Sequence, residues 1–319
     1  MKICLISFDF WNYDHHIVQA LQQKGIDAHH INLRGYEHQY PTFFHRIGNF
    51  FTKLLLNRNV KKIHRDNYIL KELAALGQQD QILVINPEII PLHIHRKIKP
   101  CTNRYIAYLY DSSLRHPVSH LLDAHIFDTV LSFDLEDVKT YNLKPLTNYI
   151  YFEKGNAVNV QNEQYHCFTI SSIDERLDTL NKVSEIFRQQ NLSSQFIVVG
   201  KRKPPDLHPD IIFLEERLDQ EAVHQKIKNS KTVLDLLRKD QTGISFRIFE
   251  ALGFQKKIIT TNVHIKNYDF YFPENILIID AENPQIPESF FSTPYKELPE
   301  EIYRKYTLSS WVEEVFELS

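Results

Sequence analysis

Short apolar runs alternate with longer stretches of helical periodicity along this chain, and this alternation restricts the fold more than any other feature. It is typical of βαβ units, in which helices cover both faces of a parallel sheet and the strands therefore look continuously apolar. The first half predicts one doubly wound sheet, with strands at residues 3–8, 28–33, 81–85, 105–110 and 129–133.

The same pattern restarts after residues 155–164, a polar, asparagine-rich stretch that predicts a linker. A chain of 319 residues also agrees with two domains of about 150 residues each. We therefore expect an α/β protein with two Rossmann-like domains, 1–154 and 155–302, and a closing helix within 303–319. The second domain predicts strands at 168–171, 196–199, 211–214, 232–237, 257–261 and 276–279, and helices at 174–190, 219–229 and 245–252.

Composition and charge exclude several classes of protein. A formal net charge of -3 argues against wrapping by nucleic acid. Three scattered cysteines predict neither a disulfide framework nor a zinc site, and they fit a reducing cytosol. No apolar stretch reaches the roughly 18 residues of a membrane span, and the first apolar run is too short for a signal peptide. We expect a cytoplasmic protein.

Glycine is scarce, with 8 residues where roughly twenty are average. The turn after the first predicted strand, residues 9–14, contains no glycine. A dinucleotide fingerprint needs glycines for its tight turn and for close approach of the backbone to pyrophosphate. The sequence therefore disfavours NAD or FAD as a cofactor.

Residues 233–253 predict a strand, a polar loop and a helix that stops at a glycine. Thr242 or Ser245 can cap the helix, and Gly243 allows close approach of the backbone to a ligand. Amides at a helix start attract anions, so Arg238 and Arg247 would complete a site for a diphosphate.

Arg247 and Glu250 lie one turn apart on the predicted helix. In one interpretation the Glu250 carboxylate accepts hydrogen bonds from ribose hydroxyls. In the other the two side chains pair with each other on an ordinary amphipathic helix. The second is common, but it leaves the loop at residues 241–243 unexplained.

Several motifs resemble bacterial glycosyltransferases that build lipopolysaccharide and capsule, close to CgeB-like proteins. The second half carries DQTGISFRIFEALG at 240–253, KKIITTN at 256–262 and YDFYFPEN at 268–275. The first half carries YDSSLRHP at 110–117, IFD at 126–128 and SFDLED at 132–137.

The resemblance implies a GT-B fold, two Rossmann-like domains with parallel sheets facing a central cleft. It implies a nucleotide-sugar donor held by the second domain, a glycan or lipid-linked glycan acceptor met by the first, and no separate cofactor. Donor phosphates and ribose would meet Gly243, Ser245, Arg247 and Glu250, with Asn262 lining the same pocket. Arg176, at the start of the helix after the first strand of that domain, is a further candidate. The expected donor-binding residues are Arg176, Arg238, Gln241, Thr242, Gly243, Ser245, Arg247, Glu250 and Asn262.

Glycosyl transfer also needs a group that removes the proton of the acceptor hydroxyl. Asp111 follows the strand at 105–110 and lies in the Asp-Ser turn of the resemblance, and Asp9 follows the opening strand. Each is a candidate base, and each can equally be an aspartate that caps the next helix.

Positive charge from side chains and a helix dipole can meet the leaving diphosphate, so we expect no metal. His93 and His95 have no third ligand with suitable spacing. The segment 43–62 combines an apolar face with basic residues, and we weigh contact with an anionic inner-membrane surface against a core helix with solvated lysines.

Two further functions use the same residues differently. A sugar-nucleotide epimerase of the same fold would need acid and base groups around the sugar, and only Asp9 and Asp111 are evident. A non-catalytic nucleotide- or glycan-binding module would keep the donor site and tolerate loss of both aspartates.

Overall fold

The computed structural model describes residues 1–9, 11–34, 60–154 and 163–318, with side chains for all of these except residues 60 and 61. The chain divides into two compact units, Met1–Leu146 and Thr147–Ser319, called unit 1 and unit 2 below.

Unit 1 is built on a parallel sheet with the strand order β2-β1-β3-β4-β5-β6. Its central strands are apolar along their whole length because both faces are covered, as in β3, where Ile82, Leu83 and Val84 are fully buried. The strands are β1 (Lys2–Ser7), β2 (Asp27–Asn32), β3 (Gln79–Ile85), β4 (Thr102–Leu109), β5 (Thr129–Ser132) and β6 (Lys144–Pro145).

Helices cover this sheet with their apolar faces. In the longest of them, Ile69 and Leu73 are one turn apart and pack in a cluster with Ile82 and Val84 of β3. Short 3₁₀ turns lie at Pro87–Ile89 and Lys99–Cys101. The helices are α1 (Tyr13–Gln23), α2 (Val60–Leu76), α3 (Leu92–Ile98), α4 (Ser119–Leu122) and α5 (Leu135–Tyr141).

Unit 2 repeats the architecture with the strand order β12-β11-β10-β7-β8-β9, and all neighbouring strands are parallel. The order reverses its direction at β7 and β10, which are adjacent. In parallel sheets such a switch point is where loops leave toward opposite faces and a crevice opens. The strands are β7 (Tyr165–Ser172), β8 (Ser194–Val199), β9 (Ile211–Leu214), β10 (Ser230–Asp235), β11 (Lys257–Thr260) and β12 (Ile276–Ile278).

The helix after β10 is deeply buried in unit 2. It runs from Phe246 to Gly253, and all its residues except Arg247 are buried. Phe249 is fully buried and contacts the ring of Tyr306, so the end of the chain packs on this helix. The helices are α6 (Leu177–Gln189), α7 (Gln220–Lys228), α8 (Phe246–Gly253), α9 (Ser289–Ser292), α10 (Glu300–Lys305) and α11 (Leu308–Phe316), and a 3₁₀ turn lies at Val263–Asn267.

The division between the units falls at Leu146, eight residues before the boundary at 154 that the sequence pattern suggests. Residues 147–154 are tied to unit 2 by hydrogen bonds. The Ile150 amide donates to the Tyr306 carbonyl at 2.8 Å, and the Leu308 amide donates to the Ile150 carbonyl at 2.8 Å. The indole of Trp311 donates to the Thr147 carbonyl at 2.9 Å, so the closing helix α11 belongs to unit 2 as well.

Two predicted segments fall largely outside the described residues. Of the basic segment 43–62, residues 43–59 lie outside, and α2 begins at Val60. Of the predicted linker, residues 155–162 lie outside. Within the described ranges, no helix is at once long enough and apolar enough to pass through a bilayer.

Replacement of Gly253 by alanine is expected to destabilise unit 2 by about 1–3 kcal/mol, the usual range for overpacking. A Cβ at this position would lie 2.7 Å from ring atoms of Phe152 and 2.8 Å from Cγ2 of Ile150. Phe152 is stacked on Phe254 with a centroid distance of 4.2 Å, so its ring has little room to move.

Gly200→Ala is the matched control for this prediction, because its Cβ would meet only the Ile173 side chain, whose flexible end can turn away. Urea unfolding of both variants measures the difference. Equal stability of Gly253→Ala and the wild type would contradict the close packing at α8.

Candidate functional site

The loop after β10 begins at Asp235, a buried carboxylate that the sequence analysis did not single out. Its Oδ1 accepts a hydrogen bond from the Ser245 hydroxyl at 2.6 Å, and its Oδ2 accepts one from Thr260 at 3.2 Å. One side chain therefore ties the end of β10 to the start of α8 and to β11. Its place directly after the apolar pair Val233 and Leu234, as the last residue of β10, was the available signal.

Asn262 holds the middle of the same loop. Its side chain is 1% exposed, and its Nδ2 donates to the carbonyls of Thr242 at 3.3 Å and Gly243 at 3.1 Å. Its Oδ1 accepts from the His264 amide at 3.0 Å. Asn262 therefore sets the backbone path of residues 241–243. In that loop Gly243 is buried, whereas Gln241 and Thr242 are partly exposed.

Ser245, not Thr242, is the N-cap residue of α8, and its hydroxyl makes no capping hydrogen bond. The hydroxyl donates to Asp235 instead. The usual acceptor at a helix N-cap is thereby turned away from the first-turn amides. Those amides and the helix dipole favour an anion at this end of α8.

Arg247 and Glu250 pair with each other inside unit 2. Arg247 Nη1 donates to Glu250 Oε2 at 2.5 Å, and the hydroxyl of Tyr151 donates to Oε1 at 2.5 Å. His224 Nε2 lies 2.7 Å from the Tyr151 oxygen. With its side chain 1% exposed, Glu250 is a buried carboxylate whose two oxygens are both engaged.

This network keeps Glu250 ionised. Burial raises the pKa of Glu250, but the Arg247 guanidinium and the hydrogen bonds from His224 and Tyr151 outweigh it, and the net shift is downward. The geometry corresponds to the second interpretation in the sequence analysis, in which the two residues pair. It also adds two partners, Tyr151 and His224, that lie 99 and 26 positions from Glu250 and carry no local signal.

Two arginines share one carboxylate at the carboxyl ends of β7 and β10. Arg176 donates to both oxygens of Asp174, from Nε at 2.8 Å and from Nη2 at 2.6 Å, and its Nη1 donates to the Leu236 carbonyl at 3.2 Å. Arg238 Nε lies 3.4 Å from Oδ2 of the same aspartate. Burial raises the pKa of Asp174, but Arg176 and Arg238 more than offset it and lower that pKa.

Two guanidinium groups, those of Arg176 and Arg238, face the single carboxylate of Asp174. The side chains of Arg176 and Arg238 are 16% and 29% exposed, so their charge is partly shielded from water and still reachable. Rigid, partly buried guanidinium groups are suited to phosphate oxygens. Two guanidinium groups therefore lie at the adjacent ends of β7 and β10, close in sequence to the start of α8.

In unit 1, Asp9 holds the start of α1. Its Oδ1 accepts from the Asp14 amide at 3.3 Å and its Oδ2 from the His15 amide at 3.1 Å. The side chain is buried. Both oxygens of this candidate base are thus used to cap a helix, the alternative role given above.

Asp111 lies at the end of β4 and belongs to a charged cluster. Arg115 Nη1 donates to its two oxygens at 3.2 and 3.0 Å, and the Ser112 amide donates to Oδ1 at 3.0 Å. His116 Nε2 lies 3.3 Å from Oδ2 of Asp111, and His116 Nδ1 lies 3.7 Å from Oε1 of Glu88. Asp111 is a candidate from the sequence, whereas Glu88 and His116 carry no local signal that marks them.

The Asp-Ser turn that carries this cluster is held by α5, the helix that follows β5. Asp137 accepts from the Ser113 amide at 2.8 Å and from the Ser113 hydroxyl at 2.5 Å. Burial raises the pKa of Asp137, partly offset by Ser113, and the negative neighbours Asp134 and Asp111 raise it further. The SFDLED motif at 132–137 therefore fixes the turn at 111–113.

His95, weighed above as a metal ligand, is fully buried and bonded through both ring nitrogens. Nδ1 lies 2.7 Å from the Tyr105 hydroxyl and Nε2 lies 2.9 Å from the Pro87 carbonyl. Across the residues that the structure describes, no three or more His, Cys, Asp and Glu side chains group as a cation site.

Solved structures match nearly the whole chain. An α,α-trehalose-phosphate synthase (UDP-forming) from Burkholderia xenovorans, in complex with glucose-6-phosphate, matches with a TM-score of 0.63 at 11% identity over 99% of each chain. Anabaena HepE, in complex with UDP and glucose, matches with a TM-score of 0.58 at 10% identity, over 99% of this chain and 98% of that one. The fold is GT-B.

The solved structures that are similar to this chain include proteins with more than one activity. A UDP-GlcNAc 2-epimerase from Methanocaldococcus jannaschii, in complex with UDP-GlcNAc and UDP, matches with a TM-score of 0.52 at 14% identity over 100% of this chain and 99% of that one. No protein-family model and no curated protein sequence matches the chain. The GT-B fold is therefore established, and the chemistry has to be argued from the site.

Proposed function

We propose that this chain is a glycosyltransferase that takes a sugar from a nucleoside-diphosphate donor bound by unit 2. The observation that carries the proposal is the pair of guanidinium groups of Arg176 and Arg238 at the ends of β7 and β10. A departing diphosphate develops negative charge, and preorganised cations stabilise it where that charge appears.

Each donor-binding residue has a role in this proposal. The backbone of residues 241–243, held by Asn262, and the first turn of α8 from Ser245 onward receive the diphosphate together with the two arginines. Arg247 adds charge at the same helix start. Glu250 holds Arg247 in place, and ribose hydroxyls reach it only when the Tyr151 hydroxyl leaves Oε1.

In this proposal these charged groups stabilise the leaving diphosphate without a metal. Names of similar proteins support a uridine nucleotide: one synthase is UDP-forming, and HepE and the epimerase are each in complex with UDP. UDP is therefore the first nucleotide to test.

Unit 1 is proposed to bind the acceptor and to remove its proton at the Asp111 turn. The motifs at 110–117 and 240–253 resemble CgeB-like enzymes, and on that resemblance we propose a bacterial surface glycan as the acceptor. The protein would then work in the cytoplasm, with residues 43–62 bringing it to a lipid-linked glycan at the inner membrane.

The proposal is tested by nucleotide binding and turnover. UDP at 100 times its Kd is expected to stabilise the wild type by about 2.7 kcal/mol. Loss of a charge-assisted contact in Arg238→Gln should weaken binding by roughly 10- to 100-fold, which reduces that stabilisation to about 0.4–1.4 kcal/mol. GDP and CDP are measured in parallel by the same thermal-shift assay.

Arg202→Gln is the matched control, since Arg202 is an exposed arginine of the same unit. Undiminished UDP binding by Arg238→Gln would contradict the assigned site. Product analysis separates the activities: a transferase releases UDP from UDP-glucose, an epimerase converts UDP-GlcNAc without net release, and a binding module does neither.

A further inference from the structure

Three ionisable side chains of unit 1 meet at the carboxyl ends of two adjacent strands, β3 and β4. Glu88 lies in the 3₁₀ turn after β3, and Asp111 lies two residues after the end of β4 at Leu109. The imidazole of His116 has one nitrogen next to each carboxylate, 3.7 Å from Glu88 and 3.3 Å from Asp111. This arrangement comes from two strand ends and is not a local sequence motif.

The backbone around these residues is held by hydrogen bonds. Asn86 has a left-handed conformation with φ 54°, its amide donates to the Tyr108 carbonyl at 3.0 Å, and its Oδ1 accepts from the Tyr110 amide at 3.3 Å. The His116 amide donates to the Ser112 carbonyl at 3.0 Å. The end of β3 is therefore bound to the end of β4, which keeps Glu88 beside the Asp111 turn.

The three side chains differ in their access to a ligand. The His116 side chain is 45% exposed, whereas those of Glu88 and Asp111 are 12% and 20% exposed. Asp111 already accepts hydrogen bonds from Arg115 on both oxygens. Of the three side chains, the imidazole is therefore the most accessible to an incoming hydroxyl, and one carboxylate lies within 4 Å of each ring nitrogen.

We propose that His116 is the group that takes the proton of the acceptor hydroxyl, with Asp111 orienting the ring and Glu88 stabilising the imidazolium that forms. This inference rests on the proposed glycosyltransferase function. When Nε2 carries the hydrogen and points at Asp111, the lone pair of Nδ1 is the acceptor. The acceptor oxygen then bonds to the anomeric carbon of the donor, its proton moves to Nδ1, and the bond from that carbon to the diphosphate breaks with both electrons leaving on the diphosphate.

The protonation of Glu88 is expected to respond to the charge of the neighbouring His116 imidazole. Burial raises the pKa of Glu88 to about 7, and the negative charge of Asp111 contributes in the same direction. A positive imidazolium 3.7 Å away would favour the carboxylate form. Arg115 faces Asp111, and the charge of Asp111 also acts on Asp137.

A single base implies a direct displacement at the anomeric carbon, so the sugar should leave with inverted configuration. UDP-α-D-glucose is the probe, with water as the acceptor. Proton NMR of the first glucose released is expected to show the β anomer. Release of α-glucose would overturn the assignment of His116 as base.

His116→Asn should lower kcat for this release at least about 100-fold, within the range ascribed to a lost general base, with UDP affinity unchanged. Glu88→Gln should shift the acidic limb of the pH profile of kcat to lower pH. A purely structural role of Glu88 would leave that limb in place. His120→Asn is the control, because His120 is an exposed histidine of the same unit. An unchanged kcat in His116→Asn, measured with the UDP-induced thermal shift as proof of folding, would overturn the assignment.

The two hypotheses fail differently. A wild type that neither binds UDP nor releases it from UDP-glucose would overturn the proposed function and His116 with it. A wild type that binds and turns over, with a fully active His116→Asn, would overturn only the role of His116.

Discussion

Replacement of Arg247 by alanine is expected to lower the free energy of unfolding of unit 2 by about 3 kcal/mol. The side chain of Glu250 is 1% exposed and would keep its charge without the guanidinium that donates to Oε2. Removal of one partner of a buried pair leaves an uncompensated charge, and that is far more destabilising than loss of a surface pair.

The pH dependence of this loss has a definite sign. In the wild type the lowered pKa of Glu250 means that its carboxylate stabilises the fold at neutral pH and that this contribution disappears as the pH falls. In Arg247→Ala the guanidinium no longer offsets burial, so the pKa of Glu250 rises and the carboxylate takes up a proton at a higher pH than in the wild type. The difference between variant and wild type should therefore narrow toward acidic pH.

Trp311 reports on unit 2 in this experiment, since it is 3% exposed and packs at the chain end. Urea unfolding followed by fluorescence in a Trp11→Phe background observes unit 2 alone. The double variant Arg247→Ala/Glu250→Gln should regain most of the loss, and Arg188→Ala, which breaks an exposed pair with Glu185, serves as the surface control. An Arg247→Ala variant as stable as the wild type at pH 7 would contradict the buried network.

Asp14→Asn is expected to stabilise unit 1 at alkaline pH by on the order of 3 kcal/mol and to have little effect near pH 4. Burial, with the charge of Asp9 in addition, raises the pKa of Asp14 to about 7, whereas the Ser7 hydroxyl lowers it. Between about pH 4 and pH 7 the folded chain keeps this proton and the unfolded chain has lost it. The contribution of Asp14 to the stability of the wild type therefore falls as the pH rises through that window and is constant above it.

Asparagine removes the ionisation and keeps the shape and hydrogen-bonding capacity of Asp14. Hydrogen exchange of the β1 amides at pH 5, 6.5 and 8 measures the local stability of unit 1. Asp27→Asn is the control, because Asp27 is exposed. Equal destabilisation by Asp14→Asn at all three pH values would show that the native side chain is ionised and stabilising, contrary to this prediction.

Much of the fold could be predicted from the sequence because buried parallel strands have a simple signature. The apolar runs at 82–85 and 105–110 became β3 and β4, and all the longer strands lie near their predicted positions. The strand β6 was missed because it is only Lys144–Pro145, too short for any periodicity. Residues 147–154 were placed with the first domain because their attachment to Tyr306 and Trp311 spans more than 150 positions.

The candidate site was predictable where chemistry is local and unpredictable where it depends on strand order. The loop and helix at 238–253 carry their own signal in one continuous segment. Glu88 and His116 meet only because β3 and β4 are neighbours, and Glu250 meets Tyr151 only because the chain from 147 onward folds back on unit 2. Such contacts between distant positions leave no spacing that a single sequence can reveal.

In the proposed donor site the adjacent ends of β7 and β10, with the start of α8, bind the diphosphate of a nucleotide sugar. A crystal structure of the chain with UDP would locate that diphosphate. We expect phosphate oxygens within hydrogen-bond distance of the guanidinium of Arg238 and of backbone amides in the segment 243–247. UDP bound elsewhere, with Arg176 and Arg238 still turned to Asp174 and no phosphate beside them, would contradict it.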